Sequence, residues 1–125
     1  MKTEFVTCLN CIDGRVQLPV INWILKNYDV KYVDMITAPG MDKVLTDMAN
    51  VDDILEKIAI SKNVHSTNQI FVVGHHDCLA NPVDDHLHKK QIVDAADNIK
   101  KLNLECDVTG LWVDNKFKVH VIHRS

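Results

Sequence analysis

Apolar positions along the chain fall into short dense runs separated by longer stretches with a helical repeat. Residues 4–10 have the density of a short buried strand, and Val16, Val20, Ile21, Ile24, Leu25 and Tyr28 then recur at helical spacing. Pro19 suits the first turn of that helix, where an N–H would have no partner in any case. Val30 to Thr37 reads as a second strand, rich in β-branched residues and stopped by Ala38-Pro39-Gly40. A helical region is predicted from about Asp42 to Asn63, broken near Asn50 to Asp52, with Asp52 placed to cap its second part. Gln69 to Gly74 is a strand of the kind covered on both faces. Beyond the polar stretch HHDCLA, Asn81-Pro82-Val83-Asp84-Asp85 predicts a helix start, with Asn81 as cap, Pro82 at the first helical position and acids in the first turn. Leu87, Ile92, Ala95, Ile99 and Leu102 give that helix a buried stripe running to about Asn103. Val108 to Ile122 holds two alternating runs around Asp114-Asn115, a hairpin signal.

The predicted order is β-α-β-α-β-α-β-β. It implies an α/β fold: a mostly parallel sheet flanked by helices, with an antiparallel C-terminal hairpin at its edge. Residues 1–125 contain no linker, repeat or low-complexity segment and read as a single domain.

Composition then narrows the function classes. The chain is 46% hydrophobic and 25% charged, and no apolar run approaches the ~20 residues of a membrane span, so no membrane partner is expected. A formal net charge of -3 argues against nucleic acid, whose phosphates call for a basic patch. The opening MKTEFVTCLN has no sustained apolar region before a small-residue cleavage site, so a cytoplasmic location is expected. In that reducing setting, four cysteines and seven histidines point to thiols or metal ligands and not to a disulfide framework.

Ligands of open α/β sheets bind beyond the carboxyl ends of the strands. Cys11-Ile12-Asp13-Gly14-Arg15 and His75-His76-Asp77-Cys78 both fall there. Cys11, His75 and Cys78 form a sensible zinc set, because thiolate and imidazole suit a borderline-soft cation. Three protein ligands leave one position for a water molecule, which zinc acidifies. Asp13 is placed to accept a hydrogen bond from that water and Arg15 to orient Asp13, which makes this pair the candidate catalytic residues. Gly14, His76 and Asp77 are either groups that back the ligands or ordinary loop residues. His86 and His88 are candidate proton shuttles or solvated side chains; His65, His120 and His123 show no partner pattern.

A lone H-x-x-C is common by chance, and buried cysteines are frequent core residues. Two motifs at the ends of strands in adjacent β-α units carry the metal reading. Cys8 and Cys11 form a C-x-x-C that could complete a closed Cys₃His site or act as a redox pair. An extended strand sets them ~10 Å apart on opposite faces, so Cys8 is expected to be a core thiol unless the strand bends at Asn10. A phosphatase or rhodanese loop is excluded by spacing: three or six residues separate the cysteines from Arg15, where those loops need four or five.

Cys11-Ile12-Asp13-Gly14-Arg15 resembles the C-x-D-S-R motif of β-class carbonic anhydrases, and Gly74-His75-His76-Asp77-Cys78 resembles their G-H-x-x-C. The resemblance extends over nearly the whole chain: Met35 to Met41 sits where that family has its second strand and R-N-A-G segment, and Val108 to Ile122 resembles its terminal hairpin. It implies that Cys11, His75 and Cys78 bind Zn²⁺, and that Asp13 with Arg15 handles the metal-activated water or that Asp13 itself takes the fourth position. The implied activity is the reversible hydration of CO₂ to bicarbonate by a lyase acting as a homodimer or higher homo-oligomer. Hydrolysis of carbonyl sulfide or carbon disulfide would use the same mechanism, and a zinc-binding regulatory or structural module would keep only the metal. Gly14 stands in place of the family's Ser, Leu79 in place of the Gly that follows the second cysteine, and Thr37-Ala38-Pro39-Gly40 does not reproduce R-N-A-G. The four residues before Phe5 do not resemble the family's N-terminal helical arm, so a smaller contact between subunits is expected.

Overall fold

The apolar run at the start of the chain is β1 (Phe5–Cys11), an interior strand of the sheet. A 3-10 turn at Gly14–Val16 leads into α1 (Gln17–Asn27), followed by β2 (Tyr32–Ala38), α2 (Met41–Asp47), α3 (Asp52–His65) and β3 (Gln69–His75). The chain ends with α4 (Asp85–Lys100), β4 (Asp107–Val113) and β5 (Val119–Arg124). This computed structural model describes residues 3–125; Met1 and Lys2, where the N-terminal leader reading and the proposed domain begin, lie outside the described residues.

The strands are ordered β2-β1-β3-β4-β5, with β1 to β4 parallel and β5 antiparallel to β4. Because β2 lies on one side of β1 and β3 on the other, the order reverses between β1 and β3. At such a switch point the connections leave the sheet in opposite directions and open a crevice beyond the strand ends. Cys11 is the last residue of β1 and His75 the last of β3.

The two faces of the sheet are packed by different helices. Leu9, Ile70, Val72 and Val108 meet α2, α3 and α4 through Met41, Leu45, Ile58, Ala95 and Ile99. On the opposite face Val6, Cys8, Phe71 and Val73 meet Val20 and Ile24 of α1. Phe71 receives Trp23 and Tyr28 edge-on, with ring centroids 6.2 and 5.0 Å away, the arrangement that aromatic quadrupoles favour. Each of these large side chains contributes roughly 2 kcal/mol by leaving water. Among the described residues, no helix is long and apolar enough to cross a membrane.

Local details depart from the sequence reading. The break between α2 and α3 falls where Met48 and Asn50 take positive φ, and Val51 occupies the cap position of α3. Asp52 is instead the first helical residue, where with Asp53 it meets the positive end of the helix dipole. Asn81 does not cap α4 and Pro82 does not open it. Asp84 is the cap, its carboxylate accepting from the Leu87 N–H at 2.8 Å, because Asn81 is buried and its amide is engaged elsewhere. The buried stripe of α4 is His88, Ile92, Ala95, Ala96 and Ile99, with Leu87 exposed. His88 lies four residues before Ile92 and Leu87 five, so the helical period selects the histidine.

Candidate metal centre

β1 delivers Cys11 and β3 delivers His75 to the same crevice. After His75 the chain turns back through Asp77, whose φ of 59° is left-handed, and the Asn81 N–H closes the turn on the Cys78 carbonyl at 3.1 Å. Cys11, His75 and Cys78 thus converge: their ligand atoms all lie within 4.8 Å of one another, with the two Sγ atoms 3.9 Å apart. All three residues are buried. The His75 Nδ1–H donates to the His76 carbonyl at 2.8 Å, leaving buried Nε2 without a partner. A fixed tautomer with its other nitrogen bare is what a ligating imidazole requires.

Charge in the cluster points the same way. Burial acts to raise the Cys11 thiol, but the adjacent His75 imidazole and the backbone of Asp13 and Gly40 outweigh it and bring the thiol down to about 7. Burial and the neighbouring Cys11 thiolate push Cys78 up to about 11. Burial opposes protonation of His75, yet the neighbouring Cys11 sulfur and the His76 carbonyl raise it overall. Two thiolates this close repel, and a dication resolves the conflict by replacing protons at both sulfurs. Two sulfurs and one imidazole suit zinc, and these residues fit that ion.

Asp13 and Arg15 border the same crevice. Arg15 forks onto Asp13, with Nη2 donating to Oδ2 at 2.7 Å and Nε to both oxygens at 3.1 Å, while the Arg15 backbone N–H donates to Oδ1 at 2.9 Å. These bonds hold the Asp13 carboxyl down at about 2. Arg15 also donates to the Asp77 carbonyl at 3.2 Å and pairs with its carboxylate at 3.5 Å, tying the first motif to the second. Cys11, Asp13, Arg15 and Cys78 line a cavity of about 180 Å³ whose remaining wall includes Ile12, Pro39 and Leu79.

A family model described as putative carbonic anhydrase matches residues 1–123. The chain belongs to that family. Solved carbonic anhydrases share its fold at low identity. The β-carbonic anhydrase isoform I of the protozoan Trichomonas vaginalis has a TM-score of 0.66 and 16% identity, over 95% of this chain and 82% of that one. The Streptococcus mutans carbonic anhydrase gives 0.67 and 17%, over 98% and 82%. A β-carbonic anhydrase of the ascomycete Sordaria macrospora, described as tetrameric, gives 0.62 and 11%, over 95% and 80%. The architecture is therefore that of β-carbonic anhydrases. No curated protein matches the chain.

The departures from the carbonic anhydrase motifs take on physical meaning in the structure. A Cβ at Gly14 would meet nothing within 4 Å, so the family's serine would fit and its loss costs no packing. Leu79, in place of Gly, is 89% exposed and lines the cavity over the two sulfurs. Gly40 has φ +62°, and a Cβ there would come within 3.3 Å of the Ala80 backbone, so the Pro39-Gly40 turn and the Cys78 loop touch.

The other sequence candidates separate. His76 pairs with the Asp85 carboxylate at 2.9 Å, and Asp77 supplies the turn and the Arg15 contacts. His86 is exposed and borders a second cavity of about 670 Å³ together with His76 and Cys78. His88 is neither solvated nor on a path out: it is 1% exposed and bonded to Asp42 at 2.6 Å. Cys8 is a core thiol whose pKa burial drives upward, outside the converging ligand group. It nevertheless packs in the same cluster as Cys11, so strict face alternation fails at the last residue of β1. His65, His120 and His123 each pair with an aspartate, Asp34, Asp114 and Asp97, brought together only by the fold or the hairpin. Sequence reasoning missed Gly40 and Asn81; the breaker at Pro39-Gly40 was visible, but nothing local marked its contact with the Cys78 loop.

Proposed function

We propose that this chain is a zinc-dependent carbonic anhydrase that interconverts CO₂ and bicarbonate. One observation carries the reading: two thiols and a bare imidazole nitrogen converge beside a cavity that also presents an ionised, arginine-held aspartate. Cys11, His75 and Cys78 would hold zinc, which when bound supplies a Lewis acid that makes water a nucleophile near neutral pH. The chain's own groups do the rest. Asp13, ionised down to about pH 2, accepts a hydrogen bond from reacting water and fixes its direction without taking up the proton itself. Arg15 keeps that carboxylate in place and bridges it to the Cys78 loop. Ile12, Pro39 and Leu79 give the cavity an apolar wall suited to a small neutral molecule with no hydrogen-bond donor.

CO₂ hydration by zinc-loaded protein, followed by stopped flow, tests this. Turnover in the wild type that is lost in Cys78→Ser supports it; bound zinc without hydration would leave a zinc-binding module. The same assay with carbonyl sulfide and carbon disulfide decides among the three electrophiles. We also propose a homo-oligomer, in keeping with the tetrameric Sordaria macrospora relative and with Val33, Met35, Val119 and Val121, which stay half-buried on the α1 face of the sheet. A monomer in sedimentation at high micromolar concentration would contradict it. Four buried free thiols suit a reducing compartment, and we place the protein in the cytoplasm.

A further inference from the structure

Beneath the Cys78 loop lies a second polar cluster, buried where α2 and α4 pack on β3 and β4. Asp42 and His88 are 2% and 1% exposed, and the His88 Nδ1–H donates to Asp42 Oδ2 at 2.6 Å. The other oxygen, Oδ1, accepts from Asn81 Nδ2 at 3.1 Å and from the Lys43 N–H at 3.0 Å. Asn81 Nδ2 donates in addition to Gln91 Oε1 at 2.7 Å. Asn81 is the residue whose backbone N–H closes the turn on Cys78. On its other side Asp42 presses on the backbone just before His75: a Cβ at Gly74 would stand 2.7 Å from Asp42 Oδ2. One buried carboxylate therefore touches the segments that deliver two of the three ligands.

Stability alone does not account for this cluster. Burying a carboxylate and an imidazole costs several kcal/mol of desolvation, and an apolar replacement of similar volume is often as stable. A cluster kept for stability would also satisfy its own atoms. Among the described residues, the buried side-chain nitrogens and oxygens without a partner are His75 Nε2, Asn81 Oδ1 and His88 Nε2: one in the metal centre, two here. We propose that Asp42, His88 and Asn81 form a positioning clamp that fixes Cys78 and His75 at ligand geometry, so that the clamp sets how tightly and in what geometry the site holds its metal. This rests on the metal reading above.

The test uses full-length protein loaded with zinc or with cobalt(II), whose visible absorption reports ligand geometry. In Asp42→Asn and His88→Leu, zinc release to a chelator should be about 10-fold faster or more, and the cobalt spectrum should shift, as when partners of metal ligands are lost. His88→Asn, whose amide can stand where Nδ1 stands, should recover much of the wild-type release rate and spectrum. Ile58→Val, in the core across the sheet from Cys11 and Cys78, should lower thermal stability and move neither readout. Unchanged release and spectra in folded Asp42→Asn, or His88→Asn no better than His88→Leu, would overturn the clamp while leaving the metal centre intact. Wild-type protein that takes up neither ion would overturn the metal reading and the clamp with it.

Discussion

The loops that follow the candidate ligands Cys11 and His75 are built on opposite principles. The one after β1 is shaped mostly by near neighbours in sequence, apart from the Ile12 N–H on the Ala38 carbonyl and Arg15 on Asp77: Asp13 accepts from the backbone and side chain of Arg15 two residues on, and Asn10 accepts from the Cys11 N–H at 2.8 Å. The one after β3 is held from outside, by Arg15 on Asp77, by Asp85 on His76, and by Asp42 and Gln91 on Asn81. A loop shaped by near neighbours can carry chemistry in a short motif. A loop shaped by remote partners depends on residues that no motif contains, and changes far from it in sequence should disturb its geometry.

Loss of a ligand should have the largest effect and should not distinguish the loops. Cys11→Ser and Cys78→Ser should each weaken zinc binding by more than the ~100-fold typical of losing a ligand's supporting partner, measured by chelator competition. Arg15→Ala comes next and does separate chemistry from binding. It should retain most of its zinc while CO₂ hydration falls by about 10- to 100-fold, because Asp13 loses its anchor and both sulfurs remain. Zinc and activity lost in parallel would mark Arg15 as a brace for the second loop.

Glycine substitutions compare the two regions by stability, Gly74 in β3 just before His75 and Gly14 in the loop after β1. Gly74→Ala forces a methyl against Asp42 Oδ2 and Ile92 at 2.7 Å and should cost about 1–3 kcal/mol in denaturant unfolding. Gly14→Ser should change stability by no more than about 0.5 kcal/mol. Equal costs at the two positions would erase the contrast between the end of β3 and the loop after β1.

The smallest effect lies at the hairpin, away from both. The His120 side chain, with the Lys118 and Lys116 N–H groups, holds Asp114 at about 2 against an ordinary 3.8. A depressed carboxyl stabilises the fold above its unfolded value and loses that contribution as pH falls through its folded one. The turn should therefore keep its order above pH 3.8 and loosen toward pH 2, a local change visible by NMR without release of the core.

The same contrast explains what could be read from the chain. Strands β1 and β3, the α/β class and the hairpin were legible because apolar periodicity and turn residues are local. Asp13 and Arg15 lie two residues apart, so their partnership was legible as well. The buried role of Asn81 was not, because Asn-Pro followed by acids is also a helix start, and the competing partners Asp42 and Gln91 lie 39 and 10 residues away. His88 failed for the same reason: a polar residue in a first turn reads as solvated until the fold supplies a buried aspartate. The pairing of His65 with Asp34, 31 residues apart, is likewise set by α3 packing beside β2.

The central claim is a metal centre of two sulfurs and one imidazole with a position left for the reacting water. Zinc content per chain, combined with X-ray absorption at the zinc edge, tests it most directly. The account predicts one zinc per chain bound by two sulfurs, one imidazole nitrogen and one light oxygen ligand. A protein that remains metal-free in excess zinc would contradict it, as would a third sulfur in the zinc shell, which would make Cys8 a ligand and close the site.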